Sequence, residues 1–130
     1  MTGTWDASIK QLYFADKGTL FTARTITIGQ EYDIVADIEI GQSLNSFPTE
    51  NRLIVVVVDA ITNTVVQTRT ITINLPGGPG QHRQQVPVTF GPLAGVQDGH
   101  VLRAVGSFRV KSGLNVDHDT KDAEPTFAVA

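Results

Sequence analysis

Apolar and polar residues alternate most cleanly at Tyr32–Ile40. Tyr32, Ile34, Ala36, Ile38 and Ile40 fall on one side, and Asp33, Val35, Asp37 and Glu39 fall on the other. Successive side chains of a strand point to opposite faces, so this period of two predicts a strand with an apolar inner face and a mostly acidic, solvated outer one. Residues 53–58, Leu53-Ile54-Val55-Val56-Val57-Val58, do not alternate. Five of the six are β-branched, stiff at χ1 and suited to a pleated surface. A run apolar on both sides predicts a central strand covered on both faces, the second cover being a loop, a neighbouring molecule or the rest of a longer protein.

The remaining segments follow the same logic. Ala60-Ile61-Thr62-Asn63 reads as a turn, and residues 64–75 as a returning strand with a bend or a switch between sheets near Thr68. There Ile71, Ile73 and Leu75 share one face, and Thr68, Thr70, Thr72 and Asn74 the other. Pro76-Gly77-Gly78-Pro79-Gly80 stops it. Val86, Val88 and Phe90 form a shorter strand in which Pro87 removes a backbone donor, as suits an edge or a bulge. Residues 101–111 predict a long strand with Leu102, Ala104, Gly106, Phe108 and Val110 inward and Arg103, Val105, Ser107, Arg109 and Lys111 outward. The polar, acidic stretch 113–125 reads as a loop before a last strand, Thr126–Val129, with Phe127 and Val129 inward. At the front, residues 9–14 and 20–28 are further strands. Seven or eight strands with turn signals between them, and no useful helical period, predict an all-β fold: a two-sheet antiparallel sandwich, with a jelly roll as the alternative.

Length and charge narrow this picture. The 130 residues suit a single domain spanning 1–130, large enough to bury a core without a metal or a disulfide. No internal repeat divides the chain. A net charge of −3 lacks the basic footprint of a nucleic-acid binder. The absence of cysteine excludes disulfides, thiolate zinc sites and cysteine nucleophiles. No apolar run approaches the ~20 residues that span a membrane. The opening Met1-Thr2-Gly3-Thr4-Trp5-Asp6 lacks the basic and apolar regions of a secretory leader. The expectation is a chain outside the general secretion route, or a domain of a longer protein.

Three stretches carry a resemblance. Ile28-Gly29-Gln30-Glu31-Tyr32-Asp33-Ile34 is similar to the short turn into the alternating second strand of bacterial immunoglobulin-like and fibronectin-III-like domains. Gln97-Asp98-Gly99-His100-Val101-Leu102-Arg103-Ala104 resembles the turn into their penultimate long strand, and Glu124-Pro125-Thr126-Phe127 the entry to their last one. The resemblance is one of pattern and covers most of the chain. It implies an immunoglobulin-like sandwich. The cysteine pair, the tryptophan of the central strand and the tyrosine before the penultimate strand are absent; His100 and Leu102 stand where that tyrosine would be.

Candidate chemistry is sparse. His82, His100 and His118 lack the short spacing of a metal-binding pair. No Gly-x-Ser-x-Gly elbow is present, since Gly106-Ser107-Phe108 lies inside a strand, and no opposed carboxylate pair marks a glycosidase. Asp117, Asp119, Asp122 and Glu124 could supply oxygen ligands to calcium, against a solvated loop in which Lys121 opposes a cation. Gly77, Gly78, Gly80, His82 and Arg83 compose a recognition loop by their flexibility and donors, or else a hairpin tip. Acidic Asp33, Asp37 and Glu39 and basic Arg103, Arg109 and Lys111 are expected on opposite outer surfaces, a pattern suited to face-to-back self-association. These features favour a non-enzymatic structural or protein-interaction module, such as a subunit of a phage, pilus or injection-machine particle or a domain of a surface protein. A carbohydrate-binding sandwich is the alternative, with Trp5, Tyr13 and Phe14 as its few candidate aromatic residues. A surface or extracellular particle is the favoured location, with protein partners or further copies as the expected company.

Overall fold

The computed structural model describes residues 5–130; of the opening six residues read against a secretory leader, the first four lie outside them. In chain order the elements are β1 (Ala7–Asp16), β2 (Thr25–Thr27), β3 (Tyr32–Ile40), the short α1 (Gln42–Asn45), β4 (Glu50–Asp59), β5 (Thr64–Ile71), β6 (His82–Phe90), β7 (Val101–Ser112), β8 (Asn115–Asp122) and β9 (Thr126–Val129). They form two sheets, as the alternation predicts. One has the order β1-β3-β6. The other runs β2-β9-β7-β4-β5, with β8 pairing the far half of β7. All pairings are antiparallel except β2 with β9.

The core lies between the sheets. Ile34, Ala36, Ile38 and Ile40 of β3 face Leu53, Val55 and Val57 of β4 and Leu102, Ala104, Phe108 and Val110 of β7, all but sealed from solvent. Burying each large aliphatic side chain contributes about 1.5–3 kcal/mol, which makes this alternation the main force selecting the fold. Phe14, Tyr32 and Phe90 stack across the three strands of the smaller sheet, with ring centroids 6.2 and 5.4 Å apart. In β1 the register shifts between Ile9 and Gln11. This bulge re-phases the strand, so Ala7 and Ile9 before it and Leu12 and Phe14 after it all point inward.

Several expectations are met and several are corrected. Pro87 does sit on an edge strand, since among the described residues β6 pairs only with β3. Thr89 turns its carbonyl outward to Arg69, so in this regular register Pro87 also faces the free edge, where its missing N–H costs no ladder bond. Residues 20–28 are strand only at Thr25–Thr27. The preceding segment folds back on β1 instead, through Ala23 N–H to Phe14 O (2.7 Å) and Tyr13 Oη to Leu20 O (2.7 Å). The strand expected over 64–75 ends at Ile71, and the chain changes sheets beyond it rather than near Thr68. In β9, Thr126 and Ala128 point inward while Phe127 is 52% exposed, the reverse of the expected face. Parallel pairing of Ile26 with Ala128 and the bond from Thr126 Oγ1 to Ala23 O (3.1 Å) hold that orientation. The largest correction is β8, an eight-residue strand inside the expected loop 113–125.

Candidate functional site

Asp33, Asp37 and Glu39 stand on the outer side of β3, as alternation requires, but they are covered rather than solvated. β3 is the middle strand of its sheet, and its neighbours bring partners to each carboxylate. Asp33 accepts from Gly18 N–H (3.0 Å) and Thr89 Oγ1 (2.7 Å). Asp37 receives Arg83 in a two-pronged pair, Nε at 3.1 Å and Nη2 at 2.8 Å. Glu39 lies 3.9 Å from Lys10 Nζ. The acidic surface expected for docking is thus consumed within the sheet. The Arg83–Asp37 bond raises the guanidinium's pKa further, and burial followed by the Asp37 charge pushes the Tyr13 phenol up.

The acidic tract takes a different part. Asp117 and Asp119 point from β8 across the open edge of β1, where their Oδ2 atoms accept the backbone N–H of Ala7 and of Ile9, each at 2.8 Å. The spacing matches because both strands have a period of two: alternate side chains on β8 meet alternate amides on β1. Asp122 and Glu124 are exposed. Among the described residues no three His, Asp or Glu side chains gather as a metal-binding group. On the opposite side of the sandwich, Gln67 and Arg69 of β5 reach Gly91 O (2.9 Å) and Thr89 O. Gln67 also accepts from the Tyr32 hydroxyl, whose pKa burial pushes far up. Both edges of the three-stranded sheet are therefore tied down by side chains of the other sheet.

The glycine-rich segment is a crossover between sheets and packs inward at several points, so it is neither a free loop nor a hairpin tip. Gly78 N–H donates to Ser46 O (3.2 Å), and Asn45 Nδ2 donates to Gly80 O (3.1 Å). Gly77 adopts φ +69° against Pro48, a conformation that favours glycine. His82 pairs with Gln84 (2.7 Å), and Arg83 is the partner of Asp37. The five residues expected to form a recognition loop thus divide between the crossover and β6.

One buried polar cluster was not foreseen. Asp59 ends β4, almost fully buried, and accepts from His100 Nδ1 (2.7 Å), Ile61 N–H (3.0 Å) and Thr62 N–H (3.4 Å). Burial alone would raise its pKa; the bonds from His100 and the two amides outweigh that and hold the carboxyl below the usual range. The sequence signal was the Asp59 lead into a four-residue turn, an Asx-turn pattern.

The outer side of the larger sheet is the least covered. Ile54, Val56 and Val58 of β4 are half-buried, Val105 beside them is 38% exposed, and Val65 of β5 is 63% exposed. The expected basic residues lie here: Arg103 is exposed, Lys111 half-exposed, and Arg109 is bonded to Glu50 (3.0 Å). Arg52 stands directly opposite Arg109 in register. The feature that could have singled out this face was already legible in the non-alternating run 53–58.

No helix among the described residues is long and apolar enough to cross a membrane. No family model matches the chain, and no curated protein matches it. Among solved structures, a β-glucuronidase from glycoside hydrolase family 2 is similar over 92% of this chain and 12% of its own, at 16% identity and TM-score 0.49. A putative β-galactosidase from Bacteroides fragilis is similar over 89% and 17%, at 12% identity and TM-score 0.46. The sporulation control protein Spo0M from Bacillus subtilis is similar over 96% of this chain and 50% of its own, at 14% identity and TM-score 0.45. The chain spans half or less of each of these proteins.

Proposed function

We propose that this chain is a non-catalytic protein-interaction module of immunoglobulin-like type, working through the outer face of the larger sheet. The strand order supports the type: β3 and β7, the second and penultimate long strands, lie in opposite sheets. The observation that carries the working face is the apolar centre of Ile54, Val56, Val58, Val65 and Val105, over which none of the described residues folds as a further layer. Side-chain ties close the smaller sheet, whereas this face presents β-branched side chains to solvent. Exposed apolar area of this kind marks interaction surfaces.

Charge selects the partner. Arg52, Arg103, Arg109 and Lys111 rim the face against Glu50 and Asp122, so a partner with an apolar centre and an acidic rim complements it. A second copy docking face to face would set like charges together, and the chain's own acidic residues on β3 are already paired. The partner is accordingly a different protein.

The test pairs capture with mapping. The double variant Val56→Glu/Val105→Glu is expected to lose a partner that wild type and a Gln85→Glu variant on the smaller sheet both retain. Hydrogen exchange in the purified complex is expected to slow at residues 54–58 and 103–107. Retention of the partner by the double variant overturns the reading. So does a homo-oligomer of the wild type that the double variant abolishes, since that result makes the occupant a second copy.

A further inference from the structure

At the end of the larger sheet's outer face, the residues make a second, smaller feature that does not depend on docking. A depression of about 400 Å³ is lined by Thr49, Glu50, Arg52, Thr70, Thr72 and Arg109. Arg52 and Arg109 are directly opposite in the β4–β7 register, and His118 follows Arg109 on β8. Lys111 is opposite Glu50 in the neighbouring row. Like charges placed opposite each other in a sheet are unfavourable without a counter-charge. Among the described residues the only carboxylate paired here is Glu50, which takes Arg109, while Arg52 has no ion-pair partner. Three cations against one carboxylate leave two positive charges uncompensated.

The walls are held in place. Asn51 clamps Ile73 from both sides, Nδ2 to Ile73 O at 2.8 Å and Ile73 N–H to Oδ1 at 2.6 Å. This keeps the chain extended beyond β5 and sets Thr72 beside Arg52. Thr49 is bonded to Lys111 O through N–H (2.8 Å) and Oγ1 (3.2 Å), which joins the ends of β4 and β7.

We infer that this trough binds a phosphate dianion, free or as a monoester, held between the Arg52 and Arg109 guanidiniums with Lys111 nearby and the Thr70 and Thr72 hydroxyls as further donors. Guanidinium forks match phosphate oxygens in pairs, and a dianion neutralises the excess charge. Glu50 is the internal competitor: its pair with Arg109 is exposed, and exposed pairs are weak enough to be displaced.

The experiment is a nuclear magnetic resonance titration of the whole chain with inorganic phosphate at constant ionic strength, chloride being the matched control. Saturable shifts are expected at residues 49–52, 70–72 and 109–111 with phosphate and not with chloride. Arg52→Gln is expected to weaken binding about tenfold or more, the loss of one charge-assisted pair. Arg103→Gln, on the same face and outside the trough, is expected to leave it within about twofold, since screened charges at that distance contribute little. Glu50→Gln is expected to tighten it. Unsaturated shifts, equal shifts with chloride, or equal effects of Arg52→Gln and Arg103→Gln overturn the inference. O-phosphoserine then separates the sources: equal affinity identifies free phosphate, and higher affinity a phosphorylated molecule. None of these readouts involves the protein partner proposed above, so the two readings fail separately.

Discussion

Removing the two β8 carboxylates that face β1 should open the edge of that strand. In the Asp117→Ala/Asp119→Ala variant the N–H groups of Ala7 and Ile9 lose acceptors at 2.8 Å each. A hydrogen bond with one charged partner contributes about 1.5–3 kcal/mol net. Both bonds border a shallow polar cleft lined by Asp6, Ser8 and Lys10, so water can take over part of the freed donors. The expected cost is therefore about two-thirds of that value, about 1–2 kcal/mol for each single variant and about 2–4 kcal/mol for the pair. Against a domain stability of about 5–15 kcal/mol this is a large fraction.

Urea unfolding at an unchanged slope measures the cost, and hydrogen exchange locates it, because protection should fall at Ala7 and Ile9 before it falls in β3. Asp→Asn at both positions keeps an acceptor oxygen and should cost less than half as much. The bared strand edge should also make the alanine variant prone to pairing with other chains, seen as new oligomers by light scattering. A double alanine variant within about 0.5 kcal/mol of wild type, with Ala7 and Ile9 still protected, would refute the view that these carboxylates stand in for a missing ladder.

Three further outcomes follow from the buried groups. Tyr32 has its phenol pKa raised, so above pH ~10 the unfolded chain sheds that proton while the folded one keeps it, and stability falls as pH rises; Tyr32→Phe should lose about 1 kcal/mol at neutral pH and flatten the alkaline decline in denaturation series. Asp59 has its pKa lowered, so its contribution is complete above the usual aspartate value of ~4 and is lost as pH falls below it; His100→Gln should move the acid-unfolding midpoint, followed by circular dichroism, to higher pH. Gly106 on β7 would set a Cβ 3.2 Å from Leu12 Cδ2 and 3.3 Å from Ile9 Cδ1, so Gly106→Val should destabilise by about 1–3 kcal/mol in thermal and urea melts through overpacking between the sheets.

The inward side of each long strand was legible in the sequence because apolar burial has a period of two and dominates the energy. Leu102, Ala104, Gly106, Phe108 and Val110 are all buried, as their spacing requires. What the period cannot convey is the fate of the outward side, which depends on residues delivered by strands distant in the chain. Asp37 looks solvated until Arg83 is placed 46 positions away in sequence and opposite its neighbour in space. The same limit explains Phe127, where a four-residue strand holds too few positions for hydrophobic alternation to outweigh the bonds of Thr126 and the parallel register with β2.

β8 shows the limit from the other side. Its Asp117, Asp119 and Lys121 alternate with His118, Thr120 and Asp122 and contain no apolar face, so a hydrophobic criterion finds only a loop. The strand exists because its neighbour β7 supplies a complete ladder from Val105 to Ser112 and because β1 presents bare amides on its flank. Acidic side chains in place of apolar ones are what such a position demands, since an edge amide needs an acceptor and an aliphatic side chain has none. A period of two in carboxylates is thus as much a strand signal as a period of two in valines, provided a row of backbone donors lies opposite. The residues that looked most like a cation site are then among those that hold the sandwich shut along β1.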